Sequence, residues 1–426
     1  MRILNTSTPI VILKSVAHGG LGLVRSLGRQ GVDVYTVEDD SCVPAIYSRY
    51  SRGWVKLDVE TASASEALRR LEALARKLGT APVLVPCTDY AAIFMADHYE
   101  RLHRRFIFPE QSPQLLRQLY NKREMHFLAK QNGVATADTL FPSTRQGVLS
   151  FLEELKFPIV LKAIDGTRLS ARCGKKMFIV NSADELLNIY DSVEEPESPN
   201  LMLQEYIAGE DDSIWMFNGY FNKNSECLVA FTGKKLRQCP AFGGYACLGV
   251  CMDNQVVKET AIRFLRSLRY SGLVDIDFRY DARTQEYKML DVNPRMGASF
   301  PLFTAANGID LARAYYLDMT GQRVPPSSVT NGRKWIVGDL DFVSSLRYFT
   351  TGRLKLKAWL RSLRDIEDSA YFATDDLLPF LYRLTVDAIE LHKRAFKKVA
   401  CTFEKSTTKP DAAFTDSIPA STQAEA

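Results

Sequence analysis

Apolar residues in the first hundred positions fall into short runs separated by polar stretches. Ile10 to Val16 reads as a buried strand by its apolar run, Gly19, Gly20 and Gly22 make a glycine turn, and Leu23 to Gln30 reads as a helix. Val32 to Val37 predicts a second strand that ends in Glu38, Asp39 and Asp40. Ser63 to Leu78 predicts a charged helix, and Pro82 to Pro86 a further short strand. Strand alternating with helix indicates a parallel sheet covered by helices. Helices near Tyr90 to Glu100 and Ser112 to Leu119 carry the chain out of this first unit, residues 1–118.

The rhythm then changes. Lys122 to Gln131 is a helix stopped by Gly133. Strands follow at Ile159 to Ala163 and Lys176 to Val180, with the polar stretch Asp165 to Lys175 between them. Ser182 to Tyr190 is helical, and Glu194 to Asn200 is a Pro-rich connector. Strands near Met202 to Tyr206, Ile214 to Asn218 and Leu228 to Thr232 precede a long helix, Gln255 to Tyr270, and a hairpin from Leu273 to Val292. This is an α+β pattern with antiparallel strands, divisible at about residue 202 into 119–202 and 203–326. Residues 327–400 read as a basic helical extension, and the Ser/Thr/Ala/Pro-rich residues 401–426 as a disordered tail.

Composition narrows the function classes. A 426-residue chain that is 46% hydrophobic and 24% charged is ordinary for a globular protein of several domains. Its net charge of +4 implies no charge-driven nucleic-acid partner. The polar start from Met1 to Thr8 does not resemble a signal peptide, and no apolar stretch nears the ~20 residues of a membrane span. The expectation is a cytoplasmic protein. Eight cysteines without CxxC spacing read as reduced, packed thiols.

The chemistry concentrates in VDIDFRYD, a turn, and YKMLDVNPRMG. With the turn centred on Thr284, Asp277 stands opposite Asp291, and Asn293 falls on the same face two residues on. Facing carboxylates repel, so an isolated hairpin would avoid them. A cation between them reverses the sign, and two carboxylates plus an amide suit magnesium that also bridges nucleotide phosphates. Arg295, another two-residue step along, offers a guanidinium fork for phosphate or carboxylate. A merely solvated hairpin face leaves its apolar neighbours Ile276, Phe278, Leu290 and Val292 unexplained. Upstream, Lys162 ends the apolar run FPIVLK and Lys122 begins a helix. Glu205, Tyr206 and Ile207 run from a strand into a loop whose backbone would hold an adenine edge, with Glu205 accepting from the adenine amino group. An acid just past Gly209 would take the ribose hydroxyls.

This order of Lys, Lys, Glu-x-Ile, Gly-x-Asp, Asp and Asp-x-Asn-x-Arg resembles the ATP-grasp superfamily over about residues 121–324. GLGLVRSLGRQGVDVYTVE, SRYSR and KKLRQCPAFGG are most similar to its D-aspartate ligase-like branch of carboxylate–amine ligases. The resemblance implies an N-terminal pre-ATP-grasp domain, a two-subdomain ATP-grasp fold, and activation of a carboxylate as an acyl phosphate that an amine then attacks. It assigns Lys122 and Lys162 to the nucleotide phosphates, Glu205, Tyr206 and Ile207 to adenine, and Asp211 to ribose. Asp277, Asp291 and Asn293 would hold magnesium, or manganese in its place, and Arg295 would face the transferred phosphoryl group. Asp165 to Lys175 stands where the family has a flexible phosphate-covering loop. Asp291 is shorter than the Glu often found there. Within the dense positive run Lys234, Lys235, Arg237, the last is the expected partner of the substrate carboxylate.

Two other readings stay open. HGGLGLVRSLG partly imitates a dinucleotide fingerprint, with Glu38 where a ribose-binding acid would sit, which suggests a nicotinamide-dependent oxidoreductase. A non-catalytic ATP-binding protein is the other. Small-molecule acid and amine substrates are expected, with a homodimer left open. In RLKLKAWLRSLR, Leu356, Trp359, Leu360 and Leu363 share a helical face. That face is expected to pack on the core rather than lie on an anionic membrane.

Overall fold

The computed structural model describes residues 1–389 other than 16, 17 and 196. The expected end of the helical extension beyond residue 389 and the expected tail, 401–426, lie outside the described residues. Two units divide the chain, Met1–Phe380 and Leu381–Ala426. In the described part of the second unit, residues 381–389 are helical and Arg383 pairs with Asp387 at 2.9 Å.

The first apolar runs form β1 (Ile10–Leu13), β2 (Val34–Glu38), β3 (Ser51–Lys56) and β4 (Val83–Pro86). They make a parallel sheet in the order β3-β2-β1-β4. β3 has no counterpart in the sequence reading, because its residues SRGWVK alternate between half-buried and exposed at a sheet edge. The glycine turn is corrected. Gly19, Gly20 and Gly22 lie inside the helix His18–Gly28. A Cβ on Gly19 would come within 2.9 Å of Ala298 Cα, and one on Gly22 within 2.5 Å of Pro301 Cγ. On Gly20 it would meet Ser15 Cα at 2.5 Å. Glycine is required here for close packing, at a cost in helix propensity of ~1 kcal/mol per residue. The partial dinucleotide fingerprint is therefore explained by packing against the loop at 297–301.

A second sheet holds β5 (Thr139–Leu140), β6 (Ile159–Ala163), β7 (Met177–Val180) and β8 (Leu201–Glu205) in the antiparallel order β5-β8-β6-β7. The stretch Asp165 to Lys175 is not the expected loop. Gly166–Cys173 is a helix, with Leu169 buried beneath it and Arg168 paired with Glu195 and donating to the Ser198 carbonyl at 2.8 Å. Arg, Leu and Ala in GTRLSARC favour helix, while its glycine, threonine, serine and cysteine are poorer helix formers.

The third sheet is the largest. It holds β9 (Ile214–Phe221), β10 (Cys227–Cys239), β11 (Tyr245–Cys251), β12 (Gly272–Asp281), β13 (Glu286–Asn293), β14 (Lys334–Ile336) and β15 (Ile366–Ser369). Their order is β13-β12-β9-β10-β11-β14-β15. Inward-facing Trp215, Phe217, Ile276, Phe278 and Val292 build one core with Val257, Ala261 and Phe264 of the helix Gln255–Ser267. β14 and β15 correct the reading of residues 327–400 as purely helical: the extension adds two strands to this sheet. Its helices are Gly338–Thr350 and Leu356–Ser362. The expected packing of the second helix holds for Trp359, which donates to Asp341 at 3.3 Å and meets the Phe349 ring. It fails for Leu356 and Leu360, which are 62% and 53% exposed. No helix among the described residues is long and apolar enough to cross a membrane.

Candidate functional site

The β12–β13 hairpin brings its acids together as the spacing predicts. Asp277 pairs in register with Asp291, Ile276 with Val292, and Asp275 with Asn293. The route differs from a symmetric turn at Thr284. Asp281 pairs with Glu286 across a four-residue turn ending in Gln285, whose φ is +58°, and a register shift between Asp277 and Phe278 restores the facing acids. A bulge of this kind re-aims side chains beside a site. The Asn293 amide donates to the Asp275 carbonyl at 3.4 Å, which leaves its oxygen for a cation.

Three lysines converge on this hairpin. Lys235 of β10 is 2.6 Å from Asp277, a cation already at that carboxylate, and Asp277 holds its ammonium charged against the burial that would lower its pKa. Lys122 reaches to 4.0 Å from Asp291. Lys162, on β6 of the facing sheet, is pushed down to about 8 by burial and by Lys122, with Asp291 acting the other way. Among the described residues no three imidazole, thiol or carboxylate side chains converge as a closed metal cage. A divalent cation here would rest on Asp277, Asp291 and the Asn293 oxygen, with nucleotide phosphates completing its shell, the open arrangement magnesium favours. The donor set fits.

Lys162→Ala is expected to weaken ATP binding roughly tenfold or more, as befits loss of a hydrogen bond between charged groups. Lys130→Ala, on an exposed stretch of the helix Lys122–Gln131, should leave it unchanged. The depressed pKa of Lys162 fixes the sign of the pH effect. Its ammonium is present below about 8 and lost above, so ATP affinity should fall as pH rises through that value, and Lys162→Arg should flatten the curve. Equilibrium titration with ATP measures both.

Glu205 ends β8 beside the cleft, but its carboxylate is occupied. Lys288 donates to one oxygen at 2.8 Å and Arg283 to the other, and against the burial that would raise it Lys288 holds the group below the usual carboxylate range. Asp281 joins the same two cations. The expected bond from Glu205 to an adenine amino group thus meets a carboxylate already engaged, one that anchors the linker to the hairpin. Ile207 is buried and Tyr206 half-buried in the linker itself. Asp211 opens a short 3-10 turn, Asp211–Ser213, and burial raises its carboxyl above the ordinary range.

Arg295 sits where the first sheet meets the hairpin. Its guanidinium lies 3.6 Å from Asp89 and 3.4 Å from Asp275, and the Met296 N–H donates to the Pro86 carbonyl at the end of β4. Asp275 accepts from Asn218 at 3.0 Å, and burial together with Asp277 pushes its carboxyl up to about 6. Neither Asp89 nor Asp275 was among the candidates. Asp275 was within reach, one more two-residue step along VDIDF. Asp89 carried only its place just past a parallel strand, where open sheets bind ligands.

Arg237 is not brought to this cleft cluster. Register shifts in β10 on either side of it separate its direction from that of Lys235. It forms a two-pronged ion pair with Asp341 of the helix Gly338–Thr350, at 2.7 and 3.0 Å, and donates to Ser362 at 2.7 Å. Both partners are buried. The expected substrate-carboxylate role is replaced by an internal carboxylate. The third basic residue of the run, Lys234, lies over the Trp215 ring.

Residues 249–319 match the family described as carbamoyl-phosphate synthase L chain, ATP binding domain. A D-aspartate ligase of Enterococcus faecium (strain Aus0004) is 27% identical over 243 residues, which is 54% of this chain and 57% of that ligase. The chain thus spans less than two thirds of that relative's length. The N5-carboxyaminoimidazole synthetase of Staphylococcus aureus complexed with ADP superposes with a TM-score of 0.61 at 14% identity, covering 83% of this chain and 88% of that one. The biotin carboxylase of Campylobacter jejuni gives 0.59 at 14% identity, covering 76% and 74%. In its motif order, in the hairpin with its facing acids and in these likenesses, the chain resembles the ATP-grasp ligases.

Proposed function

We propose that this chain is an ATP- and magnesium-dependent ligase that joins a small-molecule carboxylate to an amine through an acyl phosphate, releasing ADP and phosphate in the cytoplasm. The observation that carries the reading is the convergence of Lys122, Lys162 and Lys235 on the facing pair Asp277 and Asp291. Cations and carboxylates in one cleft are what a triphosphate and its metal require. The D-aspartate ligase relative supports an acid and an amine as co-substrates.

Lys122 and Lys162 would neutralise the phosphates, while the Tyr206–Ile207 backbone holds the adenine edge and Asp211 the ribose. When bound to Asp277, Asp291 and Asn293, magnesium, or manganese, supplies charge stabilisation at the phosphate oxygens. The substrate carboxylate oxygen attacks the γ-phosphorus in line, and the bond to the β-phosphate oxygen breaks. Arg295, held by Asp89 and Asp275, presents its fork to the transferred group. The amine nitrogen then attacks the acyl carbon, phosphate leaves with its electron pair, and the nitrogen gives up a proton to solvent. Positioning and electrostatics account for such a step without a protein nucleophile.

Acid–amine pairs screened for ADP release in magnesium test the proposal, with release expected only when both co-substrates are present. If the protein binds NADPH and no ATP, the oxidoreductase reading takes its place.

A further inference from the structure

The C-terminal extension reaches the ribose end of the proposed nucleotide site. Helix Gly338–Thr350 lies on β10, fixed by the Arg237–Asp341 pair and by Ser344, whose hydroxyl donates to the Gln238 carbonyl. This seating places Tyr348, itself buried, against Asp211. The Tyr348 oxygen accepts from the Phe242 N–H at 3.2 Å, so its own proton is directed to the Asp211 carboxylate, to which it donates. The Phe242 and Tyr348 rings meet edge to face at 4.7 Å. Arg353, just past the helix, pairs with Glu210 at 3.4 Å and covers the Phe242 ring. Gln238 lies beneath the same group, and its buried amide nitrogen has no hydrogen-bond partner of good geometry. A buried donor without an acceptor is costly unless something fills the place.

We infer that Tyr348 is a positioning residue for the nucleotide ribose: it orients Asp211 so that this carboxylate and the Gln238 amide meet the ribose hydroxyls. The inference rests on the proposed function, because it takes Asp211 as the ribose acid. Residues remote from the motif order would then set ATP affinity, through a helix that the sequence reading placed in a separate extension.

Tyr348→Phe tests it, since the ring and its packing on Phe242 stay. Loss of one hydrogen bond to a charged group predicts a roughly tenfold weaker KM for ATP, the loss falling chiefly on KM. Discrimination between ATP and 2′-deoxy-ATP should shrink by a similar factor, which a purely structural role would not produce. Gln238→Leu should act in the same direction on both nucleotides' ratio. If wild-type protein binds ATP and Tyr348→Phe matches it in affinity and discrimination, the inference fails while the proposed function stands. Tighter ATP binding by Tyr348→Phe would also overturn it, by making the contact a block. Absence of ATP binding by wild-type protein would sink both.

Discussion

Asp291→Asn is expected to cut ADP release roughly a thousandfold, since a metal's charge stabilisation of several kcal/mol corresponds to a factor of ten per ~1.4 kcal/mol. The substitution keeps the shape of the side chain and removes the charge that Asp277 faces across the hairpin. Directly opposed like charges destabilise a strand pair, so the metal-free variant should melt no earlier than wild type. The two readouts move apart only if the pair serves a cation. A variant that turns over ATP at the wild-type rate in magnesium would remove Asp291 from the site. One that unfolds early would mark its carboxylate as a structural partner of Lys122 instead.

Arg237→Ala is the second large effect, and it falls on stability. The change strands Asp341, whose side chain is 2% exposed, without its cation. Breaking a buried pair from one side costs about 3–5 kcal/mol. Urea denaturation followed by tryptophan fluorescence is suited to the measurement, because Trp359 donates to the same carboxylate. The double variant Arg237→Met, Asp341→Leu should recover most of the loss, since a hydrophobic replacement of a buried pair is often neutral or better. Wild-type stability in Arg237→Ala with a raised KM for the acid substrate would restore the role that the sequence suggested.

The difference between these two residues shows what the sequence could reveal. Asp277, Asp291 and Asn293 belong to one hairpin, where a two-residue step fixes the face and a short turn fixes the partner. Even the bulge did not spoil the pairing, because the tighter turn offset it by one residue. Lys122 and Lys162 needed the resemblance, since each alone is an ordinary helix start or strand end. Arg237 could not be read this way. Its partner lies 104 residues further on, in a segment whose basic, leucine-rich pattern gave no hint that β14 and β15 would extend the sheet beside it. The same distance hid Tyr348. The start of the helix His18–Gly28 was read as a turn for another reason. Glycines signal turns by their freedom, but here they are used for their lack of bulk, which only the neighbouring loop explains.

Arg25 adds a constraint on the order in which the protein is made. It lies in the helix that follows β1, and its guanidinium donates to the Asp376 side chain at 2.9 Å, with further bonds to the Ala370, Tyr371 and Asp376 carbonyls. These two side chains are 351 positions apart, and both are buried. On the ribosome the first sheet is complete long before Asp376 emerges. Until then Arg25 lacks its buried carboxylate and carbonyl partners, and its charge must stay hydrated. Residues 370–376, near the end of this unit, are what seal the first helix of the chain.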